Sequence, residues 1–217
     1  MASSRPRIVL SAAISIDGKI ATKTGDSELS SKQDKIRVHR LRAKVDAIIV
    51  GIRTVSVDDP LLTVRHTKGK NPTRIVLDSF GKILPSTRII KTANKVPTII
   101  AVSKKTPKKN LARLASYPVK ILITGQNKVE LRKLLNTLQK EKIKTVLLEG
   151  GGTLNWEFIR QGLVDEIIIT VTPYIVGGKD AITLVEGKGF SKILHSPKLK
   201  LHKVARQNNE IVLHYYS

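Results

Sequence analysis

Three consecutive glycines, in Glu149-Gly150-Gly151-Gly152-Thr153-Leu154-Asn155-Trp156, sit between an apolar strand, Thr145-Val146-Leu147-Leu148, and a helix read from Thr153 to about Gln161. Glycines in such a turn let an outside group approach the main chain without meeting a Cβ. Backbone N–H groups then converge on one spot, and the helix start behind them adds partial positive charge. The guest this chemistry favours is an anion, most commonly a phosphate. A tight turn with no ligand is the competing reading. The run is not the G-x-G-x-x-G fingerprint, because the third position counted from Gly150 is Asn155. A dinucleotide bound here needs a different arrangement.

Two further stretches carry chemistry. Ser15-Ile16-Asp17-Gly18-Lys19 follows the first apolar strand and leads to Gly25-Asp26-Ser27. The segment from Gly51 to Arg65 contains Thr54, Asp58-Asp59-Pro60, Leu61-Leu62-Thr63 and Arg65. Bland readings stand beside these: Asp17 before Gly18 also suits a plain turn, Asp59-Pro60 a chain break, and Arg42 a solvated helix face. The five histidines show no paired metal spacing, His39 reads as a helix-face residue, and no metal is assigned.

The elements that must position these residues alternate along the chain. Arg7–Ala13, Asp46–Gly51, Thr73–Asp78, Pro97–Val102 and Val119–Ile123 read as buried strands. Ser30-Ser31 with Asp34 reads as the start of a helix running to about Lys44. Another helix is expected around 107–116. Leu131, Leu134, Leu135 and Leu138 recur at helical spacing within Val129–Lys140. Residues 52–72 lack periodicity and read as one long functional loop. The tail reads as strands over 165–174, 199–206 and 210–216, the last two a hairpin around Gln207-Asn208-Asn209. Alternating strands and helices predict an α/β domain with a mostly parallel central sheet flanked by helices. The hairpin predicts an antiparallel C-terminal edge. In such sheets ligands sit at the carboxyl ends of strands, where Asp17, Asp58, Asp78-Ser79 and Gly150–Thr153 fall.

A chain of 217 residues with 41% hydrophobic and 26% charged content suits a single globular domain, 1–217 with its core at about 7–215. No apolar run reaches the length of a membrane span, and no signal peptide is read at the start, so a cytoplasmic protein without a membrane partner is expected. The absence of cysteine removes disulfides, thiolate metal sites and a cysteine nucleophile. The net charge of +22 admits either nucleic-acid binding or attraction of small phosphorylated ligands. Aromatic content of only 4% and basic residues spread along the whole chain favour the second, so no nucleic-acid partner is expected.

The pattern Thr-x-x-x-Asp-Asp-Pro-x-Leu-Thr-x-Arg over Thr54–Arg65, the Glu-Gly-Gly-Gly run at Glu149–Gly152 and the Ser15–Ala21 turn, in this order and spacing, closely resemble the riboflavin-biosynthesis reductases. The resemblance covers about residues 7 to 215 and is nearest to the stand-alone archaeal branch, which acts on 2,5-diamino-6-ribosylamino-4(3H)-pyrimidinone 5′-phosphate. It implies a dihydrofolate-reductase-like fold, a homodimer, and NADPH-dependent reduction of the substrate's ribose to a ribityl chain by hydride transfer to C1′. It further implies that Ala13, Thr54, Asp58, Ser79, Lys82, Gly150, Gly151, Gly152 and Thr153 contact the cofactor. Ser27, Arg42, Leu61, Arg65 and Glu149 match substrate positions, with Arg42 and Arg65 near the ribose phosphate and Glu149 at the pyrimidine amino groups. Asp58, or a water it holds, is the candidate proton donor and hence the catalytic residue.

Two departures stand out. Lys82 replaces an Arg common in the archaeal branch; it attracts a 2′-phosphate without a bidentate fork, which leaves NADH as a possible cofactor. Ser11 stands where bacterial members often carry Lys, so Lys19 is left to reach the reacting centre or the chain manages without. A fused zinc deaminase needs H-x-E and P-C-x-x-C, and no deaminase domain is expected in a cysteine-free chain. The rival enzyme reading is a pterin reductase of the same fold acting on a substrate such as dihydrofolate; the rival from another class is a basic nucleic-acid-binding protein.

Overall fold

The computed structural model describes residues 5–217. In chain order the elements are β1 (Arg7–Ile14), β2 (Lys19–Ala21), α1 (Lys32–Arg42), β3 (Ala47–Gly51), α2 (Ile52–Asp58), β4 (Thr73–Leu77), α3 (Arg88–Lys91), β5 (Thr98–Val102) and α4 (Lys108–Ala115). Then follow β6 (Lys120–Ile123), α5 (Leu131–Lys140), β7 (Thr145–Leu148), α6 (Gly152–Arg160), β8 (Glu166–Val171), β9 (Ile182–Thr183), a 3-10 turn (Ile193–His195), β10 (Lys200–Gln207) and β11 (Glu210–Tyr216). The chain divides into two compact units, each assembled from separated stretches.

The first unit holds the stretch ending at Arg7 and Arg40–Leu147. Its strands lie in the order β7-β3-β4-β5-β6. β3 pairs with β4, β4 with β5, and β5 with β6, all in parallel. Ala47, Ile48, Ile49 and Val50 of β3 are fully buried, the near-continuous apolar run of a strand covered on both faces. α5 buries Leu131, Leu134, Leu135 and Leu138, the stripe its spacing predicts.

The second unit holds Ile8–His39 and Leu148–Ser217. β1 pairs with β8 in parallel, β8 with β11 and β11 with β10 antiparallel. The expected hairpin is present: Gln207 pairs with Glu210, and Asn208 takes φ of 54°, the left-handed geometry that Asn tolerates in tight turns. β2 and β9 form a separate antiparallel pair that the sequence reading did not anticipate. The expected start of α1 also holds, because the Asp34 amide donates to the Ser31 hydroxyl at 3.1 Å.

One expectation fails. Residues 52–72 are not one loop: Ile52–Asp58 form α2. The helix has seven residues, three of them β-branched apolar, and buries only Val55, so neither propensity nor periodicity marks it. Packing of Val55 against the first unit's core decides the local structure.

Candidate active site

The glycine corner lies wholly in the second unit, except for the strand that feeds it. Gly150 takes φ of +80°, a conformation other residues rarely adopt, and the Gly150–Gly151 peptide is cis. Gly151 is the N-cap of α6, with extended backbone and no side-chain cap. The nine-residue α6 therefore begins without the Ser, Thr, Asp or Asn oxygen that ordinarily serves its first amides. That composition fits an external anion at the helix mouth.

The glycines serve different ends. A Cβ on Gly152 would lie 2.3 Å from the Thr183 carbonyl oxygen and 2.7 Å from Glu186 Cγ. Gly152 thus admits the molecule's own strap, residues 183–186, across the start of α6. The Glu186 amide donates to the Gly152 carbonyl at 3.2 Å, and the Thr153 hydroxyl donates to Glu186 Oε2 at 2.8 Å. Asn155, 2% exposed, donates from Nδ2 to the Leu184 carbonyl at 2.8 Å. Its buried Oδ1 has no hydrogen-bond partner and lies 3.5 Å from where a Cβ on Gly150 would be. Motif reading missed Asn155 and Glu186. The only signal for Asn155 was a polar residue inside the first turn of a helix, where Asn is disfavoured without a bonding task.

Also in the second unit, Asp17 fastens the turn after β1. Ser15 Oγ donates to Asp17 Oδ1 at 2.6 Å, and the Val176 and Gly177 amides donate to its carboxylate at 3.0 and 2.7 Å. The Ser15 hydroxyl first, and then these amides, hold the Asp17 carboxyl down to about 2. The turn reading of Asp17 is met, with the added task of tying two loops. Ala13 stands opposite Thr170 of β8. Ser11 is buried with its hydroxyl unpartnered. Ser27 is exposed, in a turn closed by the Leu29 amide on its carbonyl at 2.8 Å. Glu149 is half-buried just beyond β7.

In the first unit, Thr54 lies within α2 and Asp58 at its end. Asp58 is surface-accessible, yet neighbouring protein strips enough water to push its carboxyl above the ordinary value. Beyond α2 the chain turns sharply: Asp59 takes φ of 38° and Leu62 φ of 51°. Arg42, on α1, donates to the Thr63 carbonyl at 3.2 Å. Arg65 donates to the Thr63 hydroxyl at 3.0 Å. Two cations distant in sequence therefore meet at one residue.

Ser79 is held in the turn after β4. Its Oγ accepts from the Val129 amide at 3.0 Å, and its carbonyl accepts from the Ser103 and Thr106 hydroxyls. Lys82 is exposed, with Nζ 5.7 Å from the Phe80 ring centroid. Asp78, immediately before Ser79 and 1% exposed, accepts the Ile83 amide at 2.7 Å and so closes the turn that carries both. An open basic cleft of about 500 Å³ beside β6 is lined by Lys104, Lys133 and Lys140 among others, and by none of the residues that the motifs select. Among the described residues no His, Asp and Glu cluster suits a metal ion.

A family model described as the RibD C-terminal domain matches residues 6–213. The chain is 41% identical over 214 residues to the 2,5-diamino-6-ribosylamino-4(3H)-pyrimidinone 5′-phosphate reductase of Methanothermobacter thermautotrophicus, covering 97% of this chain and 98% of that protein. It is 40% identical to the protein of the same description from Aquifex aeolicus, over 91% of this chain and 90% of that one. Among solved structures, Acinetobacter baumannii RibD superposes with a TM-score of 0.84 at 29% identity, covering 100% of this chain and 59% of that one. The present chain thus spans little more than half of that longer protein. A dihydrofolate reductase from Enterococcus faecalis shares the fold, with a TM-score of 0.53 at 10% identity over 97% of this chain and 95% of that one. With the glycine corner, the Thr54–Arg65 segment and a match across residues 6–213 in agreement, the chain belongs to the RibD C-terminal domain family.

Proposed function

We propose that this protein is an NADPH-dependent reductase of riboflavin biosynthesis. It converts the ribosyl group of 2,5-diamino-6-ribosylamino-4(3H)-pyrimidinone 5′-phosphate to the ribityl group. The observation that most supports the reading is the meeting of Arg42 and Arg65 at Thr63. Two guanidinium groups drawn to one residue are best stabilised by an anion, and a phosphate monoester offers the charge and oxygens to engage both. Dihydrofolate carries no phosphate and offers only the carboxylates of its glutamate tail, so assays with both compounds separate the readings.

NADPH, when bound, supplies the hydride; the protein supplies placement and charge. In this reading Gly150, Gly151 and the uncapped start of α6 hold the pyrophosphate. Gly152 and Thr153 belong to the same cradle, braced by the strap that packs on Gly152 and bonds Thr153 at Glu186. Ala13, Thr54 and Asp58 contribute further contacts. Ser79 and Lys82 serve the adenosine end, where Lys82 favours a 2′-phosphate by charge without a fork, so NADH is a slower alternative. Ser27, Leu61 and Glu149 orient the pyrimidine. Asp58 delivers the proton when the ring-opened substrate is quenched. Its raised carboxyl value keeps a larger protonated fraction near neutrality than an ordinary Asp has.

The protein acts in the cytoplasm as a homodimer. Ile193 and Leu194, each 89% exposed, and Ile175, 77% exposed, are apolar side chains of the second unit suited to cover by another copy. Among the described residues no helix is long and apolar enough to cross a membrane. The test is the loss of reduced-nicotinamide absorbance with the ribosylamino-pyrimidine phosphate, run beside dihydrofolate. Turnover of dihydrofolate alone would overturn the assignment. Light scattering tests the dimer.

A further inference from the structure

Arg74, in β4, is fully buried. Nε and Nη2 donate to the Thr98 hydroxyl at 3.1 and 2.7 Å. Nη2 also donates to the carbonyls of Ile89 at 3.0 Å and Val96 at 3.2 Å. Nη1 donates to the Thr92 hydroxyl at 2.8 Å and to the Leu61 carbonyl at 3.2 Å. None of these acceptors is a carboxylate. Burial pulls the guanidinium down to about 10, so it stays charged at neutral pH.

A buried cation with neutral partners is a poor choice for stability alone, since an apolar side chain of similar volume avoids the desolvation. Its reach into Leu61 points to another task. The turn from Asp59 to Thr63 contains two left-handed non-glycine residues, Asp59 and Leu62, and such conformations persist only where the surroundings fix them. Arginines do the fixing. Arg88 donates from its amide to Asp59 Oδ1 at 2.7 Å and from Nε to the Asp59 carbonyl at 2.6 Å. Arg42 holds the Thr63 carbonyl. Arg74 holds the Leu61 carbonyl, the bond between the two strained positions, and is itself immobilised by β5 and the α3 segment.

We propose that Arg74 is a positioning residue for the phosphorylated substrate: it locks the Asp59–Thr63 turn in the shape that presents Leu61 and brings Arg65 beside Arg42. This rests on the reading that Leu61 and Arg65 face that substrate. Arg74 touches neither substrate nor cofactor in this scheme and acts through the turn.

The test uses Arg74→Lys, which keeps the charge but cannot reach all acceptors, and Thr92→Val, which removes one partner of Nη1 outside the sheet. If the competent turn falls to about a tenth of the population, KM for the pyrimidine phosphate rises about tenfold, while the NADPH Kd stays within about twofold. Thr92→Val shifts KM in the same direction by less. Hydrogen exchange of the amides of Asp59 and of residues 61–65 quickens in both. A joint loss of kcat, KM and NADPH affinity together with melting temperature marks a merely structural residue and overturns the proposal; so do unchanged KM and unchanged exchange. Should Arg74→Lys fail to fold, Thr92→Val decides by the same split. If the parent protein does not turn over this substrate, the functional reading falls by itself. Exchange at 59–65 then still decides whether Arg74 holds the turn.

Discussion

Replacing Gly152 with Ala separates the two tasks of the glycine corner. In helix interiors Ala is favoured over Gly by about 1 kcal/mol, and Gly152 opens α6 with ordinary backbone angles, so propensity alone predicts a gain. The surroundings predict the reverse. The new Cβ would stand 2.3 Å from the Thr183 carbonyl oxygen and 2.7 Å from Glu186 Cγ. The Glu186 side chain can swing away, but the carbonyl belongs to β9, which is paired with β2. The strap must retreat by about 1 Å to reach ordinary contact, and overpacking of this kind costs about 1–3 kcal/mol. Retreat also strains the Glu186 amide to Gly152 carbonyl bond and the Thr153–Glu186 bond, each worth about 1 kcal/mol net. After the propensity gain, the expected net loss is about 2 kcal/mol, or about 4–8 °C in melting temperature for a chain of this size. The assay is thermal and urea denaturation, with NADPH titration by fluorescence alongside. Gly162→Ala is the control: its φ is +63° but nothing lies within 4 Å of the added Cβ, so strain of the backbone is its only cost. A Gly152→Ala protein as stable as its parent, or more so, refutes the claim that the strap's close approach is what Gly152 is for.

Arg65→Ala and Arg42→Ala are each expected to raise KM for the phosphorylated substrate about 10–100-fold, the scale of a lost charge-assisted bond. The dephosphorylated analogue should bind parent and variants alike, and steady-state kinetics with both compounds checks this. Asp58→Asn should lower kcat by about 10²-fold or more if the carboxyl delivers the proton, and raise the NADPH Kd far less, because Asn keeps an oxygen for the cofactor contact; stopped-flow and binding titrations separate the two. Asp46, despite partial burial that pushes its carboxyl up, is held below the ordinary value because the Lys144 and Thr145 amides and the Thr145 hydroxyl donate to it. Its contribution is therefore present above the unfolded carboxyl value and lost as pH falls through the lower folded value. Asp46→Asn should lower stability at pH 7 and flatten the acid limb of a denaturation–pH profile. Leu135→Ala, at a fully buried position of α5, should cost about 2–5 kcal/mol in urea unfolding.

Much of the scaffold was legible because its signals are local. The buried strand Ala47–Gly51, the leucine stripe of α5, the Ser31 cap of α1 and the Asn208 turn each write their conformation into a few adjacent residues. α2 was not legible, because seven residues with one buried contact are too few for a period. β2 and β9 were missed for a related reason: two- and three-residue strands exist only through each other, 160 or so positions apart. At the candidate site, the motif residues Gly150–Thr153 and Thr54–Arg65 were picked out by type and spacing. Their partners Glu186, Asn155 and Arg74 were not, because each acts on residues far along the chain.

The anion-facing roles of Arg42 and Arg65 came from the family resemblance, while the pattern of residues alone set the α/β alternation, the mostly parallel sheet with its antiparallel end, and the glycine turn. Those follow from side-chain periodicity and from backbone freedom, which are properties of neighbours. It took the folded molecule to show that Gly152 admits a strap, that Arg42 and Arg65 converge on Thr63, and that a buried Arg74 grips a strained turn. Such contacts depend on excluded volume and hydrogen-bond reach between segments remote in sequence, and no local pattern encodes where two remote segments will touch.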